Sequence, residues 1–99
     1  MSAYVIFICK KLNSKVHFDQ YNRLARAASK GFEIKPLAFY GQAVALEQIE
    51  TEGVAILEFP NLEQAQAWYQ SDAYQEAKKQ RDLAGDYMVL ITEGLNIPS

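Results

Sequence analysis

The first apolar run, Ala3-Tyr4-Val5-Ile6-Phe7-Ile8-Cys9, has no polar side. Its β-branched and aromatic residues predict a strand. Tyr4, Ile6 and Ile8 point one way; Ala3, Val5, Phe7 and Cys9 point the other. A strand with one wet face alternates with polar residues, so both sides of this sheet need cover. From His17 to Ser29 the period changes. Phe18, Tyr21, Leu24, Ala25 and Ala28 fall at helical spacing, while Arg23, Arg26 and Lys30 lie off that stripe. Gly31 ends the predicted helix. Leu37-Ala38-Phe39-Tyr40 and Ala43-Val44-Ala45-Leu46 are two short strand-like runs. Gly41-Gln42 interrupts them as a bulge or a tight turn. After the polar turn Glu50-Thr51-Glu52-Gly53, the run Val54 to Phe59 predicts a strand closed by Pro60.

Asn61 with Gln64 three residues on makes a capping box for a second helix. Leu62, Ala65, Trp68 and Tyr69 recur on it at helical spacing. Ser71 or Asp72 restarts the pattern as a second cap, and Tyr74, Ala77 and Arg81 follow on one face. Gly85 breaks this helix, and Tyr87 to Thr92 is the last strand. The order β-α-β-β-α-β predicts a single domain over residues 1–99 of the α+β class. It is the split βαβ, ferredoxin-like arrangement, an antiparallel sheet with two helices on one face. Two helices cannot cover two faces. A second copy packed sheet to sheet is the simplest cover for the other, which predicts a homodimer.

Length agrees with one domain: 99 residues bury enough surface for one core. The net charge of −2 lacks the basic excess that a nucleic-acid surface needs, so no nucleic-acid partner is expected. The lone cysteine, Cys9, cannot form an internal disulfide, which fits a reducing cytoplasm. It ends an apolar run and is expected to be a buried, inert thiol. The run from Ala3 to Cys9 is too short to span a bilayer and lacks the basic start of a signal peptide, so no membrane partner is expected.

Glu58-Phe59-Pro60, Ala65, Ala67-Trp68-Tyr69, Ser71, Tyr74-Gln75, Arg81 and Leu90-Ile91-Thr92-Glu93-Gly94 together form a recognisable text. With Tyr21 in the first helix, it resembles a family of small bacterial proteins, domain-of-unknown-function family 1330, within the dimeric α+β barrel superfamily. The resemblance spans nearly the whole chain and is strongest from Val54 to Gly94. It implies a ferredoxin-like fold that dimerises through its sheets, and it implies no established activity. Lys30-Gly31-Phe32 and Tyr40-Gly41-Gln42 stand where relatives often carry Gly-Gly and Arg-Gly-Gly.

His17 is the only histidine, and with Asp19 it is too few ligands for a metal site. The five glycines are scattered and make no phosphate loop, and no nucleophile elbow occurs. Neither a metal nor another cofactor is expected. Glu58 shares a strand face with Val54 and Ile56, where a carboxylate needs a partner or takes a raised pKa. Arg81 shares a helix face with Tyr74 and Ala77. The two are expected either to form a structural ion pair or to act as proton acceptor and anion clamp for a small acid. Tyr4, Tyr21, Tyr40, Tyr69, Tyr74 and Trp68 are candidates for a cleft between helices and sheet, or simply for the core. The candidate ligand-binding residues are therefore Tyr40, Glu58, Trp68, Tyr74 and Arg81. The leading functional expectation is a cytoplasmic homodimer binding a small hydrophobic or acidic metabolite. The alternatives are a cofactor-independent monooxygenase or isomerase using Glu58 as acid–base, and a structural dimer module without ligand.

Overall fold

A computed structural model describes residues 1–95. Strand β1 covers Ala3–Leu12, helix α1 Lys15–Ala28, β2 Lys35–Phe39 and β3 Gly53–Phe59. Helices α2 (Leu62–Gln70) and α3 (Asp72–Ala84) then lead into β4 (Gly85–Glu93). The sheet order is β2-β3-β1-β4, and every pairing is antiparallel. This is the expected α+β, ferredoxin-like sheet, with the second helical region divided in two.

The division falls at Ser71. Its hydroxyl donates to the Trp68 carbonyl at 2.7 Å, closing α2, and accepts from the Tyr74 backbone N–H at 3.2 Å, opening α3. Asn61 caps α2 through the Gln64 N–H at 2.8 Å, as the capping-box pattern predicts. Helix α1 starts two residues earlier than its apolar stripe suggests, because Ser14 accepts from the His17 N–H at 3.3 Å.

One expectation fails. Ala43 to Leu46 forms no strand, and residues 40–52 leave the sheet. Tyr40 adopts φ 57°, a left-handed conformation rare for a bulky residue, and this turns the chain away after Phe39. The segment returns at Thr51, whose hydroxyl donates to the Cys9 and Gly53 carbonyls at 3.1 and 3.0 Å. Pro36 sits in β2, an edge strand where its missing N–H costs no ladder bond.

Alternation in β1 sorts the two faces. Ala3, Val5, Phe7 and Cys9 are buried beneath the helices. There Phe7, Phe59, Trp68 and Tyr74 make the aromatic centre of the core, with the Trp68 and Tyr74 rings 4.3 Å apart. Tyr4, Ile6 and Ile8 face the other way. Register places them beside Glu58, Ile56 and Val54 of β3 and Thr92, Leu90 and Met88 of β4. Among the described residues no helix lies on that face, and Met88 and Leu90 are about half exposed, at 51% and 46%.

Gly85 opens β4 directly against β1. A Cβ there would run into the Lys11 carbonyl oxygen and come within 3.3 Å of Leu12 Cα. Gly85→Ala is expected to lower stability by about 1–3 kcal/mol through overpacking. Gly41→Ala, which would meet nothing within 4 Å, is expected to change little. Thermal unfolding of the two variants checks this, and equal melting temperatures would contradict the close approach.

Candidate functional site

The site begins with a cavity of about 460 Å³ between α1, the β2–β3 side of the sheet and the end of α2. Helix α1 contributes Tyr21 and Ala25, the sheet contributes Phe7, Ala55 and Leu57, and Trp68 comes from α2. Tyr40 stands in the wall where β2 ends. Its ring packs edge-on against Phe18 at 5.1 Å, and its hydroxyl bonds the Tyr87 hydroxyl at 3.1 Å. Gly53 makes room for that ring, since a Cβ there would lie 2.7 Å from Tyr40 Cδ1. Arg26 is the sole charged residue in the cavity wall among the described residues, and no carboxylate joins it.

Behind the wall lies Arg81, 5% exposed. The α3 phase set by Ser71 turns it inward on the same face as Tyr74 and Ala77. Its Nη1 donates to the Tyr74 hydroxyl at 2.9 Å and its Nη2 to the Tyr69 hydroxyl at 3.4 Å. The guanidinium carbon lies 5.6 Å from the Tyr87 ring centre and 5.9 Å from that of Phe7, within cation–π range. Tyr74 also bonds Tyr21, hydroxyl to hydroxyl, at 2.9 Å. Two tyrosine pairs therefore connect the cavity to one guanidinium. In each pair one member lines the cavity (Tyr21, Tyr40) and the other touches Arg81 (Tyr74, Tyr87).

Electrostatics follow from burial. Desolvation pushes the Tyr21, Tyr74 and Tyr87 phenols far above their ordinary range and Tyr40 up to about 12. All four are neutral donors at physiological pH. Burial works against the Arg81 charge, but the oxygens of Tyr74, Tyr69 and Tyr21 outweigh it and hold its pKa above the usual value. The Cys9 thiol, buried, is likewise shifted up and stays protonated.

The expected Glu58–Arg81 pair does not form. Glu58 lies on the helix-free face, beside Tyr4 and opposite Lys35 in register. Its carboxylate raises the Tyr4 phenol pKa. Arg81 lies across the sheet, on the Phe7 side. Strand alternation separates the two, a relation invisible until the topology placed α3 over the odd-numbered face of β1. An acid–base role for Glu58 in this cleft fails for the same reason. Of the candidate residues, Tyr40 and Trp68 line the cavity, Tyr74 and Arg81 stand behind it, and Glu58 is remote. Tyr87 went unsuspected, although its alternation with Val89 and Ile91 marks it as facing the helices. His17, half-buried, ties α1 to α3 through its Nδ1 and Gln80 Oε1 at 2.9 Å. Among the described residues no three His, Cys, Asp or Glu side chains gather as a metal site. No described helix is long and apolar enough to cross a membrane.

The family model described as a domain of unknown function, DUF1330, matches residues 2–95. No curated protein matches the chain. Among solved structures it is similar to RPA0582, a protein of unknown function from Rhodopseudomonas palustris. That match has 15% identity and TM-score 0.69 over 97% of this chain and 84% of that one. A dimeric ferredoxin-like protein of unknown function from Jannaschia matches with 10% identity and TM-score 0.69, over 95% and 100%. The cofactor-independent oxygenase SnoaB from Streptomyces nogalater matches with 10% identity and TM-score 0.59, over 99% and 97%. At these identities the likeness establishes the shared fold.

The buried phenols carry a prediction. Tyr21, Tyr40 and Tyr74 keep their protons when folded, whereas tyrosines of the unfolded chain ionise near 10.0. Above that pH the unfolded state binds fewer protons, so unfolding becomes easier. The stability these groups contribute is complete below pH 10 and is lost as pH rises through the folded-state values. Tyr21 and Tyr74 alone should each lower stability by about 1.4 kcal/mol per pH unit in that window. Urea midpoints from roughly pH 9 to 12, read with tyrosinate absorbance, check it; a flat profile would refute the burial of these phenols.

Proposed function

The chain belongs to the DUF1330 family, and from that premise we propose a cytoplasmic homodimer whose protomers each bind a small hydrophobic or acidic molecule in the α1–sheet cleft. The observation that carries this reading is the cavity itself. Its volume suits a small metabolite. Its wall is mostly apolar, with Tyr21, Asn22, Arg26, Ser29 and Tyr40 as its polar residues. Among the described residues the wall holds no carboxylate or imidazole, which favours binding over acid–base catalysis.

The dimer reading rests on the helix-free face. Ile6, Ile8, Val54, Ile56, Met88 and Leu90 share it, and such a patch calls for cover. The fold shared with the Jannaschia protein, itself dimeric, supports the same reading. In a two-fold dimer the same face meets its copy, so Leu90→Lys would set a cation from each protomer against the apolar sheet of the other. Light scattering is expected to give twice the chain mass for the wild type and the single-chain mass for Leu90→Lys. A monomeric wild type would exclude the dimer.

For the ligand, native mass spectrometry of the purified protein is expected to detect a small molecule retained per protomer. Ala25→Trp, which fills the cleft from α1, is expected to expel it. Retention of the same molecule by a folded Ala25→Trp variant would place binding elsewhere.

A further inference from the structure

We propose that the cleft ligand is an acid, and that its carboxylate or enolate oxygen sits against the Tyr21 and Tyr40 hydroxyls, with Arg81 behind them as the positioning cation. This deepens the cleft-binding reading and rests on it.

The first support is a charge without a counter-charge. Arg81 is 5% exposed. The one carboxylate within ion-pair reach among the described residues is that of Asp82, whose Oδ1 is 3.8 Å from Nη2. Asp82 is itself 55% exposed, so water screens it. Elsewhere Arg81 meets phenol oxygens and ring faces, and its Nε has no acceptor. A buried guanidinium facing neutral groups is costly, and an anion nearby offsets that cost.

The second support is direction. A guanidinium can only donate. Nη1 occupies a lone pair of Tyr74, so the Tyr74 O–H is favoured to point away from the cation, toward Tyr21. The Tyr21 proton is then turned away from Tyr74. Tyr21 is one of the residues lining the cavity, and in this proposal a ligand oxygen accepts a hydrogen bond from it. On the second route Tyr87 covers the guanidinium with its ring and pairs with Tyr40, the other hydroxyl of the wall. Tyr21 is thus a neutral O–H donor polarised by one positive charge, and Tyr40, whose bond with Tyr87 can run in either direction, is a second hydroxyl joined to the same cation. Such an arrangement favours an oxyanion over a neutral amide or alcohol.

The third support is the wall itself. Among the described residues the sole charge on it is a second cation, Arg26. The unpartnered Trp68 Nε1–H, in the same buried region, is another donor without an acceptor. Both charges near the cavity are positive and two buried N–H groups lack acceptors, so an acceptor-rich ligand suits the region.

The test compares two probes of one shape, 2-naphthoate and 2-naphthamide, by calorimetry on the full chain. Wild type is expected to bind naphthoate at least about tenfold more tightly, the scale of one charge-assisted hydrogen bond. Arg81→Met is expected to abolish that preference while retaining naphthamide binding, and Arg81→Lys to restore part of it. Should Arg81→Met fail to fold, the double variant Tyr21→Phe/Tyr40→Phe removes only the two hydroxyls and is expected to reduce the preference several-fold. Equal wild-type affinity for both probes would overturn the acid inference and leave the cleft reading standing. A preference unchanged in the double variant would overturn the hydroxyl route. Failure of both probes to bind wild type would overturn the cleft reading and this inference together.

Discussion

The organisation of this protein depends on one packing constraint: three helices cover only one face of a four-stranded sheet whose central strands are apolar on both. Everything under α1, α2 and α3 is committed to a single aromatic core around Phe7, Trp68 and Tyr74. Everything on the reverse face is left to other contacts. The constraint also partitions chemistry. The carboxylate of β3, Glu58, falls on the uncovered side, and the guanidinium of α3 falls within the core. Two opposite charges that look like partners in one dimension are kept apart by the thickness of a sheet.

Much of the fold was legible in the residues. Period-two and period-3.6 patterns located the strands and helices, and the Asn61 and Ser71 caps were visible as local chemistry. What the sequence concealed was set by backbone conformation and by three-dimensional neighbours. Ala43 to Leu46 has strand composition but no strand, because Tyr40 takes a left-handed turn that no propensity scale assigns to tyrosine. Tyr87 was unremarkable in a row of strand residues, yet it is one of the groups nearest the buried cation. Arg81 was recognisable as facing inward beside Tyr74 on its own helix, while Tyr21, which joins it through Tyr74, comes from α1, far away in the chain.

The tyrosines reconcile two demands on this interior. A cation in an apolar core needs oxygen neighbours, and carboxylates there would carry their own desolvation cost. Phenols give oxygen atoms to the guanidinium and ring surface to the core. Their raised pKa values keep them neutral, so the net charge of the interior remains that of one arginine. Tyr21 and Tyr40, bonded to Tyr74 and Tyr87, stand between this arginine and the cavity, and the arginine stays buried.

Ser71 gives that arrangement a mechanical index. One hydroxyl ends α2 beneath Trp68 and starts α3 ahead of Tyr74, so the two helices are phased by a single residue. Each residue advances a helix by about 100°. One residue gained or lost at this joint would swing Arg81 and Tyr74 together away from Tyr69 and Tyr21 and toward solvent, with α3 still fully helical. The length of the α2–α3 joint therefore governs which way the buried charge points. Relatives that keep the fold but alter this joint would keep the cleft and lose its polarity.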